Sequence, residues 1–178
     1  MLRKAIVLLT ALFVALAGSS QTDKPRTGAQ GWKEYVYRSD GFAITLPEAP
    51  NRHVDANYPN TTAYTAAGTT LRVMQMSRGC DFAISERVRK LEEVKNGTRQ
   101  LNPSESKFKP NMSSVKHGTV EGFPFLEFEQ VVPSGSQSYE HWYCADKRLY
   151  IFAAVWQPDK AKPAYIEKIV HSFRLLKP

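Results

Sequence analysis

From Trp32 onward, apolar and polar residues alternate in short runs, the period of strands rather than helices. Glu34–Arg38 and Phe42–Leu46 flank Ser39-Asp40-Gly41, a three-residue hairpin loop with glycine where a positive φ is needed. Pro47 and Pro50 end this hairpin, because proline has no N–H for a central strand, and a loop of about ten residues is expected next. Thr61–Ala66 and Thr69–Ser77 read as a second hairpin around Gly68, with Leu71, Val73 and the threonines favouring extended backbone.

Between Asp81 and Asn96 the period changes. Ile84, Val88, Leu91 and Val94 or Lys95 recur at three- and four-residue steps, one narrow apolar stripe on a charged helix. Asp81 or Ser85 suits its start, Lys95 its negative end, and Gly97 a left-handed stop. The pattern predicts a surface helix lying on a sheet. Thr98 to Ser113 is polar, carries Pro103 and Pro110, and reads as loop. Strands are then expected at Ser114–Val120, Phe125–Val132, Ser138–Cys144 and Leu149–Trp156. In the last of these both alternating sets are apolar, Leu149, Ile151, Ala153 and Val155 against Tyr150, Phe152, Ala154 and Trp156. A strand that is apolar on both faces is covered on both faces. A closing helix from Pro163 to Ser172 presents Ile166, Ile169, Val170 and Phe173 to a core. Two helices and eight strands predict an α+β fold, a mainly antiparallel β-sheet flanked by helices on both faces.

The first stretch, MLRKAIVLLTALFVALAGSS, follows a different logic. Arg3 and Lys4 precede an uncharged run of 12 residues, Ala5–Leu16, too short to cross a bilayer core as a helix. Ala15-Leu16-Ala17 offers small residues at the two positions a signal peptidase inspects. The expected organisation is a signal peptide over 1–17, a flexible linker over 18–30 and one folded domain over 31–178. A cut after Ser20 is the alternative, and an uncleaved anchor is the competing reading. Ser19 stands where a lipoprotein signal carries cysteine. The mature protein is therefore expected to be secreted or periplasmic, with no transmembrane segment once the signal is removed.

Composition narrows the class further. The 178 residues, 42% apolar and 11% aromatic, exclude a disordered or collagen-like chain and fit one domain. Losing residues 1–17 takes two positive charges from the formal +7 and leaves +5. Those charges are spread, and the densest knot, Arg87, Arg89 and Lys90, lies on the predicted helix without interleaved aromatics. A solvated surface is the better reading, so no nucleic acid is expected as partner.

Candidate chemistry is sparse. His53, His117, His141 and His171 sit on separate elements without metal-ligand spacing, and no metal or cofactor is expected. Glu127 and Glu129 share one strand face, with Glu140 on a later strand; such carboxylates do acid–base work only when their environments split their pKa values. Here they read as a solvated face. There is no Gly-x-Ser-x-Gly elbow, phosphate-cradling loop or His-Glu-x-x-His helix, and nothing local activates Cys80 as a nucleophile, so no catalytic residue is assigned.

Cys80 and Cys144 are the two cysteines, and an oxidising compartment favours their pairing; two buried thiols are the alternative. Tyr139, His141 and Tyr143 share one strand face, opposite Glu140, Trp142 and Cys144. Flat side chains with polar tips suit a recognition surface, and this is the candidate binding surface. The competing reading covers it with a helix and makes the tyrosines core.

A set of landmarks then falls into a familiar order. Trp32 and Tyr35 lead into Gly41-Phe42-Ala43-Ile44-Thr45-Leu46-Pro47; later come Val120-Glu121-Gly122-Phe123-Pro124, Asp146-Lys147-Arg148-Leu149-Tyr150 and a terminal Val170-His171-Ser172-Phe173-Arg174-Leu175. Over residues 32 to 176 the chain resembles the Mog1/PsbP-like superfamily, especially its small exported bacterial members. The resemblance implies an α/β/α sandwich and non-enzymatic work. One eukaryotic relative binds a small GTPase, photosynthetic relatives help retain ions at photosystem II, and several bacterial relatives are envelope lipoproteins. Phe125 stands where relatives often have glycine, the lipoprotein cysteine is absent, and no metal-retaining motif carries over. The combined expectation is an exported, non-catalytic binding or accessory domain acting on a protein partner in the cell envelope. A small-ligand or ion-binding envelope protein is the alternative, and a hydrolase comes third. A deep pocket with converging polar groups marks the second class, and a flat aromatic patch marks the first.

Overall fold

The computed structural model describes residues 26–27, 31–56, 58, 60–77, 79–99 and 108–176. The signal peptide and most of the expected linker lie outside the described residues. The elements run β1 (Arg26–Thr27), β2 (Lys33–Tyr37), β3 (Phe42–Leu46), β4 (Asn51–Val54), β5 (Thr61–Ala66), β6 (Thr69–Gln75) and α1 (Cys80–Lys95). Then follow β7 (Lys109–Val120), β8 (Phe123–Val131), β9 (Gln137–Ala145), β10 (Arg148–Trp156), α2 (Ala164–Ser172) and β11 (Arg174–Leu175). They form a seven-stranded sheet in the order β4-β5-β6-β10-β9-β8-β7 and a four-stranded sheet in the order β1-β2-β3-β11. Every strand pair is antiparallel. The mainly antiparallel α+β architecture is as the alternation predicts.

The two-faced strand β10 explains the layering. Leu149 on one face joins the cluster under α1, with Ile84, Leu91, Leu126 and Phe128. Tyr150, Phe152 and Ala154 on the other join the larger cluster with Phe42, Ile44, Ile166 and Ile169, beneath α2 and the small sheet. Each fully buried Leu, Ile or Phe contributes about 1.5–3 kcal/mol, so the two clusters dominate stability. Ser172 fastens the end of α2 to the small sheet, its Oγ accepting the Thr45 N–H at 2.9 Å.

The first hairpin turns as its sequence implies. Arg38–Asp40 make a short 3-10 turn, and Gly41 follows at φ 75°. A Cβ at Gly41 would lie 2.7 Å from Arg148 Nη1 and 3.2 Å from the Tyr150 hydroxyl. Glycine is needed there both for the left-handed backbone and for the close approach.

Three features differ from expectation. The loop expected after Pro50 contains β4, an edge strand whose four residues are all exposed, so no apolar alternation marks it. β7 begins at Lys109, inside the expected Thr98–Ser113 loop, with a register irregularity between Asn111 and Lys116 where the edge of the sheet bends. Arg26–Thr27, inside the expected linker, pairs with β2, and the predicted first hairpin stands in a small second sheet with β1 and β11 instead of joining the large one.

Candidate functional site

α1 covers only part of its sheet face, and the uncovered part is a groove of about 770 Å³. Its floor follows from strand alternation: Arg72 and Met74 on β6, Leu149, Ile151 and Ala153 on β10, and Glu140 and Trp142 on β9 point the same way. Arg72, Ile151 and Trp142 stand in one row across three strands, and Ala153 and Glu140 stand in the next. Ala153 is the small residue in its row and gives the groove depth. The helix supplies the wall with Glu86, Arg87, Lys90 and Val94, positions flanking the buried stripe of Ile84 and Leu91. Arg99 and Phe108 lie at one rim.

Most charges facing the groove are compensated. Arg72 Nε lies 3.0 Å from Asp55 Oδ2, Lys90 Nζ 3.6 Å from Glu86 Oε1, and Arg99 Nη1 3.7 Å from Glu93 Oε2. Glu140 is held by neutral donors: Gln130 Nε2 donates to one oxygen at 2.6 Å, and the Trp142 indole N–H donates to the other at 2.8 Å. Two groups are left over. Arg87 rests its guanidinium 5.1 Å from the Phe128 ring centroid, and its buried Nε has no partner among the described residues. Gln130 is 2% exposed, and its Oε1 has no partner among the described residues either. Leaving a buried donor or acceptor unpaired costs about 1–3 kcal/mol, so each is a standing demand for a complementary group.

The opposite face of the sheet is closed. Tyr139 and His141 are buried, at 5% and 7% exposure, and Tyr143 is half-buried. Phe173 stacks on Tyr143 at 5.5 Å, Phe125 on His141 at 5.8 Å, and Lys162 Nζ sits 5.1 Å from the Tyr139 ring centroid. Of the candidate recognition surface, Tyr139 and His141 are thus buried, and Tyr143 keeps part of its surface beside Phe173. Tyr139 Oη lies 3.1 Å from His141 Nδ1, and Glu127 Oε2 lies 3.5 Å from the same nitrogen. Burial lowers the His141 pKa to about 4, against the opposing pull of Glu127. A cavity of about 10 Å³ beside His141 holds nothing larger than a water.

The expected solvated carboxylate face is also modified. Glu127 and Glu129 are half-buried and neutralised by Lys116 and Lys162, each at 3.1 Å, while Glu140 faces the groove on the other side of the sheet. No pair of them shares a site. Cys80 and Cys144 form a disulfide with Cα atoms 5.3 Å apart, which removes Cys80 as a nucleophile and anchors the start of α1 to β9. Among the described residues, no three His, Cys, Asp or Glu side chains converge on a metal-sized site. No helix among them is long and apolar enough to cross a membrane.

Sequence reasoning missed Arg87 and Gln130 as a pair. Gln130 does carry a signal, a polar residue at a core-facing position of an apolar strand. No family model and no curated protein matches the chain. Among solved structures, the solution structure of cyanobacterial PsbP (CyanoP) from Synechocystis sp. PCC 6803 is similar, with a TM-score of 0.53 and 11% sequence identity. The match covers 84% of this chain and 95% of that one. The chain has a PsbP-like fold, and at this identity the likeness speaks for fold alone.

Proposed function

We propose that this PsbP-like domain is an exported, non-catalytic accessory protein of the cell envelope that binds a small ligand in the groove between α1 and the large sheet. The carrying observation is the groove itself. Its volume falls within the range of about 300–1,000 Å³ usual for small-molecule sites. It combines an apolar floor with a few polar groups, two of them unpaired and buried. Tyr139 and His141 of the aromatic face are buried, which supports the groove over that face. The Cys80–Cys144 disulfide suits an oxidising compartment, and the N-terminal sequence suits export.

The test compares the wild type with Ala153→Trp, which fills the groove floor. Both are expressed in a bacterium with their export signal, recovered without denaturant and weighed by native mass spectrometry. The wild type is expected to carry an added small mass that the variant lacks. Equal bound mass on both proteins, or none on either, would count against the groove.

A further inference from the structure

The groups left unmatched inside the groove specify a ligand chemistry. We infer, resting on the groove as the binding site, that it takes a single-chain acyl amphiphile whose head carries both an anionic oxygen and a hydroxyl or amide N–H.

Four cations, Arg72, Arg87, Lys90 and Arg99, face the groove against two carboxylates, Glu86 and Glu140. Arg72, Lys90 and Arg99 each have an acidic partner. Glu140 accepts one neutral N–H on each oxygen and keeps its charge, so among the described residues the unpaired cation with spare donors in the groove is Arg87. Arg87 has aromatic support from Phe128 and no carboxylate among the described residues. A planar guanidinium with spare donors matches an oxyanion in bidentate fashion, which favours an anionic head over a cationic one.

An anion alone does not answer Gln130. Its amide orientation is fixed, because Nε2 must donate to Glu140 and Oε1 must therefore look for a donor elsewhere. With the side chain 2% exposed, solvent cannot fill that role freely. A simple carboxylate or sulfate head has no hydrogen to give, whereas a head with an adjacent amide N–H or hydroxyl does. Arg87 and Gln130 both neighbour Phe128. The guanidinium lies 5.1 Å from the ring centroid, and Gln130 comes two residues later on the same strand face, so one compact head can meet both.

The body of the ligand follows from the floor. Met74, Leu149, Ile151 and Trp142 line the floor across β6, β10 and β9, two inter-strand steps or about 10 Å, with Arg72 and Glu140 beside them. Methionine adapts its shape to a flexible chain. The floor is a trough along which an acyl chain can lie.

Full-length oxidised protein is titrated by calorimetry, below micelle-forming concentration, with three twelve-carbon probes. N-dodecanoylglycine offers carboxylate and amide N–H, dodecanoate offers carboxylate alone, and dodecyltrimethylammonium offers a cation. N-dodecanoylglycine is expected to bind roughly tenfold more tightly than dodecanoate, the worth of satisfying one buried acceptor, with the cation weakest. Gln130→Leu should erase the difference between the two anions, and Arg87→Met should weaken both about tenfold or more. The wild-type ranking alone decides if either variant fails to fold. Equal binding of all three probes, lost in Ala153→Trp, would overturn the head chemistry while sparing the groove. No binding by the wild type, or binding untouched by Ala153→Trp, would remove both.

Discussion

His141 gives the protein a pH-dependent stability that can be worked out in advance. Its ring is buried between Phe125 and Tyr143, and Nε2 has no partner. Nδ1 faces the Tyr139 hydroxyl and Glu127, Lys116 binds Glu127, and His171 acts on the ring from α2. Burial lowers the folded pKa to about 4, while the unfolded imidazole titrates near 6.5. Between those values the unfolded chain binds the proton and the folded chain does not, so acid favours unfolding. The stabilisation is whole above pH 6.5 and is lost as pH falls towards 4. By pH 4.5 the loss is roughly 2–3 kcal/mol, since each tenfold difference in proton affinity between the two states is worth about 1.4 kcal/mol. The assay is urea unfolding at pH 7.5, 6, 5 and 4.5 on the wild type and on His141→Phe, which keeps a flat ring against Phe125 and Tyr143 but cannot titrate. The difference between the two proteins should move in favour of the variant by that amount as pH falls. Parallel pH profiles would refute the reasoning, because they would assign the acid sensitivity to other groups.

Reducing the Cys80–Cys144 bond, whose cysteines stand 64 residues apart, should cost about 4 kcal/mol in the chain-entropy model, an upper figure read from urea midpoints with and without a phosphine reductant. Coincident midpoints would show that the bond constrains little. Gly41→Ala forces a left-handed alanine and crowds Arg148, so it should lower stability by about 1–2 kcal/mol in the same assay, and a neutral result would mean the turn relaxes. Expressed in a bacterium, the mature protein should begin at Gly18 outside the cytoplasm. N-terminal sequencing that finds Met1 on a membrane-bound form would contradict export with cleavage.

The fold was legible where side-chain period and burial agree. β10 announced a covered sheet because Leu149 and Ile151 alternate with Tyr150 and Phe152, all apolar, and α1 announced itself through Ile84, Val88 and Leu91. β4 stayed hidden because Asn51, Arg52, His53 and Val54 bury nothing, and the first half of β7 because Pro110 and the irregularity after Asn111 mask its pairing. The closed aromatic face is misleading in sequence for a physical reason. Tyrosine and histidine tips look solvent-seeking along the chain, but here Tyr139 and His141 are buried with the Tyr139 hydroxyl against His141 Nδ1. The groove was illegible because its chemistry is assembled across elements, Arg87 from α1, Gln130 from β8 and Glu140 from β9. The pairing of β8 with β9 and the packing of Arg87 on Phe128 bring them together.

The central claim, that this face of the sheet is the binding site, is tested most directly by amide and indole NMR shifts on adding N-dodecanoylglycine to the isotope-labelled full-length protein. With the ligand in the groove, the Trp142 indole N–H, the Gln130 side-chain amide and the backbone of Arg87 should shift together and saturably. Shifts confined to the β2-β3-β11 side of the molecule, or none at all, would contradict it.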